Sequence, residues 1–171
     1  FGCRVMKLSL NGGFTCPNRD GTVGVGGCAF CSEEGSGHFS GTIDSQIQLL
    51  RYKWPVGQYI AYFQSHTNTY GSVDKLRALW DAALAAPGVV GLAVATRPDC
   101  LPDPVLALLD EYNKKTYLWV ELGLQTCNEQ TADAMNRCYQ NIVFERAMAR
   151  LSALGIKTVV HLILGLPGET T

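Results

Sequence analysis

Three cysteines are spaced for metal chemistry. Cys16, Cys28 and Cys31 lie in the segment CPNRDGTVGVGGCAFC, the last two as a Cys-x-x-Cys pair. Three thiolates from a single loop can hold three irons of a [4Fe–4S] cube and leave the fourth iron open to a small ligand. Clusters that only carry electrons use four cysteines and close that position. Between Cys16 and Cys28 stand Gly21, Gly24, Gly26 and Gly27, which let the backbone fold tightly and bring amides to the sulfurs. Phe30 is placed to shield one side of such a cluster from water. The same residue types suit zinc, since Cys16, Cys28, Cys31 and His38 make a Cys3His set. A four-thiolate ferredoxin-like centre needs one more cysteine, and Cys3 is the nearby candidate. A thioredoxin-like redox pair fits the strand order and the additional Cys16 poorly. Taken alone, the loop divides evenly between cluster and zinc.

The chain carries seven cysteines in 171 residues. An odd count without secretory features argues for metal binding or catalysis before disulfides. Cys3, Cys100, Cys127 and Cys138 lack paired spacing and read as free thiols, with Cys100 and Cys127 near strand ends. The formal net charge is −1, so no global basic field advertises nucleic acid, and any such contact must come from a local patch. No stretch approaches the roughly 20 apolar residues of a membrane span, and no signal peptide is visible. A cytoplasmic protein without membrane contact is expected. Starting at Phe1 and stopping at Thr171 just after a turn motif, the chain reads as one domain over 1–171, truncated from a longer protein.

The elements that must position the cysteines alternate in type. Val5–Leu10, Tyr59–Gln64, Val89–Ala95, Tyr117–Leu122 and Lys157–Leu164 read as strands. Helical patterns fall between them: Asp44–Trp54 ending at Pro55, a helix capped by Ser72, one capped by Asp103 and opened by Pro104, one capped by Asn128, and Ile142–Leu154 stopped by Gly155. Strand–helix–strand repeats imply parallel pairing. A closed eight-stranded barrel takes about 250 residues, so an α/β fold is predicted, a partial parallel (β/α) barrel of five to six strands. In such folds, sites form where the strands end.

With the cysteine loop, five further segments resemble the radical S-adenosylmethionine (SAM) superfamily: YIAYFQSHTNTY (59–70), ATRPDCLPD (95–103), ELGLQT (121–126), MNRCY (135–139) and HLILGLPGET (161–170). They are most similar to the branch of the elongator catalytic subunit and its bacterial relatives. Phe30 matches that superfamily's aromatic residue before the last cysteine. The usual spacing, Cys-x3-Cys-x2-Cys, is shorter than the one here. The resemblance implies a [4Fe–4S] cluster on Cys16, Cys28 and Cys31, and reductive cleavage of SAM to methionine and a 5′-deoxyadenosyl radical that abstracts hydrogen from substrate. It implies a reductant protein such as flavodoxin or ferredoxin, and modification of a tRNA wobble uridine.

By the same resemblance Gln64 and Ser65 lie where the methionine amine is met, although the common Gly-Glu motif is absent. Gln125 falls near the ribose and Arg137 near the SAM carboxylate. His161 faces the ribose, against the plainer reading of a core histidine. Gly165 belongs to a turn that admits the adenine; no Gly-Lys-Ser/Thr follows it, so it is not a phosphate loop. Thr96 and Arg97 follow the third strand, where Arg97 suits a carboxylate or phosphate as well as it suits a structural turn with Pro98 and Asp99.

Overall fold

The computed structural model describes residues 1–33, 35, 40–52 and 57–169. Five strands, β1 (Met6–Leu10), β2 (Tyr59–Phe63), β3 (Val89–Thr96), β4 (Tyr117–Gln125) and β5 (Lys157–Leu162), form one sheet in sequence order. Every neighbouring pair is parallel. The helices between them are α1 (Ile43–Arg51), α2 (Val73–Ala85), α3 (Asp103–Lys115), α4 (Glu129–Ala134) and α5 (Asn141–Ala153). The predicted α/β architecture and strand count hold.

Strand alternation separates two faces. On β4, Leu118, Val120 and Leu122 join the main core with Leu8, Leu92 and Val94, against Leu76 and Trp80 of α2, Leu109 and Tyr112 of α3 and Leu151 of α5. The intervening Trp119, Glu121 and Gly123 face the other way. That second face carries only a small apolar cluster, Ile60, Tyr62 and Ala93, with Val5, Val90, Ala95 and Trp119 packed on it. It also carries Lys7, Glu121 and His161.

Lys7 Nζ lies 2.9 Å from Glu121 Oε1. Their strands, β1 and β4, stand three steps apart, about 14 Å in a flat sheet at ~4.8 Å per step. Two side chains meeting across that span require the sheet to curl, bringing its second face inward as in a partial barrel.

Several boundaries follow the local signals. Ser72 caps α2 by accepting from Lys75 N at 3.3 Å. Asn128 caps α4 by accepting from Gln130 N and Thr131 N at 3.0 and 3.3 Å. Asp103 is a correction: it is the first helical residue of α3, the cap is Pro102 with no side-chain bond, and the Asp103 carboxylate pairs with Arg150. β4 runs three residues beyond Leu122, the predicted end, because Gly123 and Gln125 keep pairing with His161 and Leu162 of β5. β5 stops at Leu162. Trp54 and Pro55, the predicted end of α1, and His38, the nitrogen ligand of the zinc reading, lie outside the described residues.

Candidate active site

The cysteine loop leaves the carboxyl end of β1 and folds on itself. Arg19 N and Asp20 N donate to Cys16 O at 2.8 and 3.2 Å, Gly27 N donates to Asn18 O at 2.8 Å, and Cys31 N donates to Cys28 O at 2.9 Å. Gly27 sits at φ +81°, a conformation that costs other residues steric strain. These turns bring Cys16, Cys28, Phe30 and Cys31 to one cavity of about 620 Å3, whose opposite wall is formed by the strand ends: Gln64, Thr96, Arg97, Gln125 and His161. Ser65 and Gly165 do not line it. Ser65 is buried with its hydroxyl 3.2 Å from Ser40 Oγ.

Cys28 hydrogen-bonds to the Cys31 sulfur, which with burial pushes the Cys28 thiol up. The same bond, with help from the Arg19 charge, pulls Cys31 down to about 7. A thiolate is therefore available at neutral pH, the form that binds metal. Among the described residues no three His, Cys, Asp or Glu side chains converge as a single-ion site requires. With zinc–sulfur bonds of about 2.3 Å, tetrahedral thiolates must crowd one point. Cys16, Cys28 and Cys31 line one cavity of about 620 Å3, three soft sulfur donors of the kind a [4Fe–4S] cube uses. Cys3 hydrogen-bonds to Gln58 at 2.8 Å, ahead of β1 and β2 and so at the opposite end of the sheet. The ferredoxin-like reading loses its fourth ligand. Cys100 and Cys138 do not line the cavity.

The two arginines have structural commitments. Arg97 pairs bidentately with Asp99 (Nε to Oδ1 2.9 Å, Nη2 to Oδ2 2.7 Å) around the short 3-10 turn Pro98–Cys100, and gives Nη1 to Arg137 O at 3.1 Å. Arg137 is 1 % exposed. It donates to Tyr139 O (3.0 Å), Leu124 O (2.8 Å), Thr126 O (2.9 Å), Glu129 Oε2 (3.0 Å) and Asn141 Oδ1 (2.9 Å). A guanidinium has five N–H donors, so none is left for a SAM carboxylate. Arg137 is a strut joining the end of β4 to the turn before α5. Both guanidinium groups pack on the Tyr139 ring, 4.9 and 4.5 Å from its centroid. The Thr96 hydroxyl is committed to Thr69 Oγ1 at 2.5 Å.

Gln64 and Gln125 are different: neither side-chain amide has a partner among the described residues. Gln125 holds φ +70° at a register shift between β4 and β5, strain of the kind stored where a side chain is aimed at a ligand. His161 gives or takes one bond, Nε2 to Glu121 Oε2 at 2.8 Å.

Glu121 is the centre that sequence reasoning underweighted. It is 3 % exposed and accepts from Lys7 Nζ (2.9 Å), Trp119 Nε1 (2.7 Å) and Tyr62 Oη (2.7 Å) besides its contact with His161. Burial pushes its carboxyl up, but the bonds from His161, Trp119, Tyr62 and Lys7 outweigh this and hold it far below the usual range. Tyr62, Glu121 and His161 form the floor of the cavity. The alternation along β4 signals an inward carboxylate; its partners on β1, β2 and β5 carry no local signal. Arg19 and His66 also line the cavity without having been singled out. Arg19 donates to the Glu33 and Ser32 carbonyls and has no carboxylate partner among the described residues. His66 sits at φ +58°, and burial lowers its imidazole pKa.

Comparison with known proteins agrees with this geometry. Residues 15–171 match the model of the radical SAM superfamily. The chain is 50 % identical, over 99 % of its length, to the uncharacterized protein YtqA of Bacillus subtilis, and 43 % identical to YhcC of Escherichia coli K12. It spans about half the length of these relatives, 55 and 56 %. Among solved structures, the N-terminally deleted Elp3 of Methanocaldococcus infernus superposes with a TM-score of 0.65 at 15 % identity, covering 97 % of this chain and 39 % of that one. The hexahistidine-tagged anSMEcpe with bound AdoMet gives 0.56 at 11 %, covering 92 and 42 %. Three cysteines on one glycine-rich loop, facing the ends of a curled parallel sheet, thus coincide with a family match over nearly the whole chain, which belongs to the radical SAM superfamily.

Proposed function

We propose that this chain is the catalytic core of a radical SAM enzyme that modifies a base in tRNA, with a [4Fe–4S] cluster on Cys16, Cys28 and Cys31. The observation that carries the reading is the meeting of these three cysteines, from one loop, at a cavity ringed by strand ends. When bound, the cluster and SAM supply reductive cleavage to methionine and a 5′-deoxyadenosyl radical that takes hydrogen from substrate.

The chain's own residues hold and orient. Arg19 offers the thiolates and the SAM carboxylate a cavity charge that no carboxylate among the described residues neutralises. The free amides of Gln64 and Gln125 meet the amine and the ribose. Glu121 fixes the His161 ring through Nε2, leaving Nδ1 without a partner among the described residues. The shallow depression of Gln125, Cys127, Leu162, Ile163 and Gly168 adjoins the main cavity and is assigned to the adenine, beside the Gly165 turn. Arg97 and Arg137 stiffen the wall. The tRNA substrate is supported by the six motifs shared in order with the elongator-like branch. Flavodoxin or ferredoxin in the cytoplasm is the assigned reductant.

Anaerobic reconstitution is expected to give a brown protein with iron and sulfide, which releases 5′-deoxyadenosine on addition of SAM and dithionite. Cys28→Ala should abolish both. A colourless protein with one zinc per chain and no sulfide would overturn the reading. Nucleoside profiling of tRNA from cells lacking the protein tests the substrate: an unchanged profile refutes tRNA while leaving SAM cleavage intact.

A further inference from the structure

Asn18 stands two residues beyond Cys16 and is fully buried. Its Nδ2 donates to Cys28 Sγ at 3.4 Å and to the Asn136 main-chain carbonyl at 2.5 Å. Its Oδ1 is buried and has no partner among the described residues. Burying a bare amide oxygen costs about 1–3 kcal/mol, so the side chain is placed for its nitrogen. Turning the amide over would set oxygen against the Asn136 carbonyl, which can only accept. The orientation is therefore dictated by the protein.

The surroundings are built to keep it there. A Cβ on Gly24 would overlap Asn18 Oδ1, so only glycine leaves room. Asn136, at φ +54°, closes the clamp from the other side. Its Nδ2 donates to Gly27 O at 2.8 Å and to Val25 O at 3.3 Å. Ala29 N donates to Met135 O at 2.9 Å. The MNRCY segment thus latches the cysteine loop and presses the Asn18 amide onto one cysteine sulfur.

We infer that Asn18 is a positioning residue that sets the electron affinity of the cluster through an N–H···S bond to Cys28. The inference rests on the cluster assignment above and goes beyond it. A donor at a ligating sulfur withdraws electron density and favours the reduced, more negative state. Without the donor the cluster is harder to reduce.

The test is an EPR-monitored redox titration of the reconstituted holoprotein in wild-type, Asn18→Ala and Asn136→Ala forms. At the wild-type midpoint, Asn18→Ala is expected to show about a tenfold lower ratio of reduced to oxidised cluster, about 59 mV for one electron. Asn136→Ala keeps the carbonyl acceptor and the Asn18 amide; it should lower iron and sulfide content while the remaining cluster titrates at the wild-type potential. An unshifted Asn18→Ala, or an equal shift in Asn136→Ala, overturns the inference. Should Asn18→Ala hold no cluster, the wild-type protein carrying asparagine labelled with 15N at the side-chain amide decides. A 15N coupling to the reduced cluster in pulsed EPR supports the bond, and its absence overturns it. Wild-type protein that takes up no iron and sulfide overturns the cluster assignment as well; a wild-type cluster indifferent to Asn18 overturns only this inference.

Discussion

Removing the Glu121 carboxylate should destabilise the fold before it touches any chemistry. The side chain is 4 % exposed and receives four contacts, from Lys7, Trp119, Tyr62 and His161. Lys7 is 44 % exposed on its side chain, so its ion pair is screened and contributes at most about 1 kcal/mol. The weight lies in the buried Tyr62 and half-buried Trp119 donors, which lose a charged acceptor. Glu121→Ala is expected to cost about 3–5 kcal/mol, the range for breaking a buried charged network. At about 2–4 °C per kcal/mol for a chain of this size, the melting point falls by about 6–20 °C. Glu121→Gln should cost about 1–2 kcal/mol, because its oxygen can keep Lys7 and Trp119 while its amide turns to Tyr62 and His161.

The pH dependence has a definite sign. The carboxyl is held below its ordinary 4.5 in the fold, so its contribution is complete above the unfolded value and is lost as pH falls through the folded one. The stability gap between wild type and Glu121→Gln should be full at pH 7 and shrink as the pH drops below 4.5. Urea unfolding followed by tryptophan fluorescence at several pH values measures it. A Glu121→Ala protein within about 0.5 kcal/mol of wild type at pH 7, or a gap that widens in acid, would refute the reasoning.

Arg137→Lys keeps the charge but offers three donors in place of five, leaving at least two of its five acceptors unpaired; a loss of about 1–3 kcal/mol in urea unfolding is expected. In the metal-free chain, iodoacetamide should label Cys31 with a half-maximal rate near pH 7, and Cys28 only slowly, since its thiol is pushed up; equal rates by peptide mass spectrometry would contradict the shared proton. Gly24→Ala should cut iron uptake severalfold, because the new Cβ overlaps Asn18 Oδ1, whereas Gly57→Ala, with open space around it, should not.

How much of this was legible in sequence depends on the reach of each interaction. Ser72 and Asn128 act within their own helix turns, so their identity as caps could be read directly. The cysteine triplet was legible because its three sulfurs come from one loop. Arg137 was not: three of its five acceptors are the Leu124, Thr126 and Tyr139 carbonyls, and main-chain oxygens leave no mark in the residue string. The expected SAM contact therefore fell on a residue whose donors the fold already uses. Glu121 stood on the inward face of β4 by simple alternation. Its ion-pair partner lies 114 residues away on β1, and only the curl of the sheet brings the two together.

The segment 135–141 ties the cysteine loop to the end of β4. Asn136 grips the cysteine loop at Val25 and Gly27. Arg137 grips the end of β4 at Leu124 and Thr126. Tyr139 donates to Gly123 O and lies against both guanidinium groups. One short segment thus fixes the position of the thiolates relative to Gln125 and the floor carboxylate. A change in that turn shifts loop and strand together, so its substitutions should move cluster retention and the stability of β4 in parallel. Substitutions of Glu121, which touches the strands but not the loop, should lower stability while leaving iron content per folded chain unchanged; the two classes separate when iron, sulfide and the urea midpoint are measured on the same preparations.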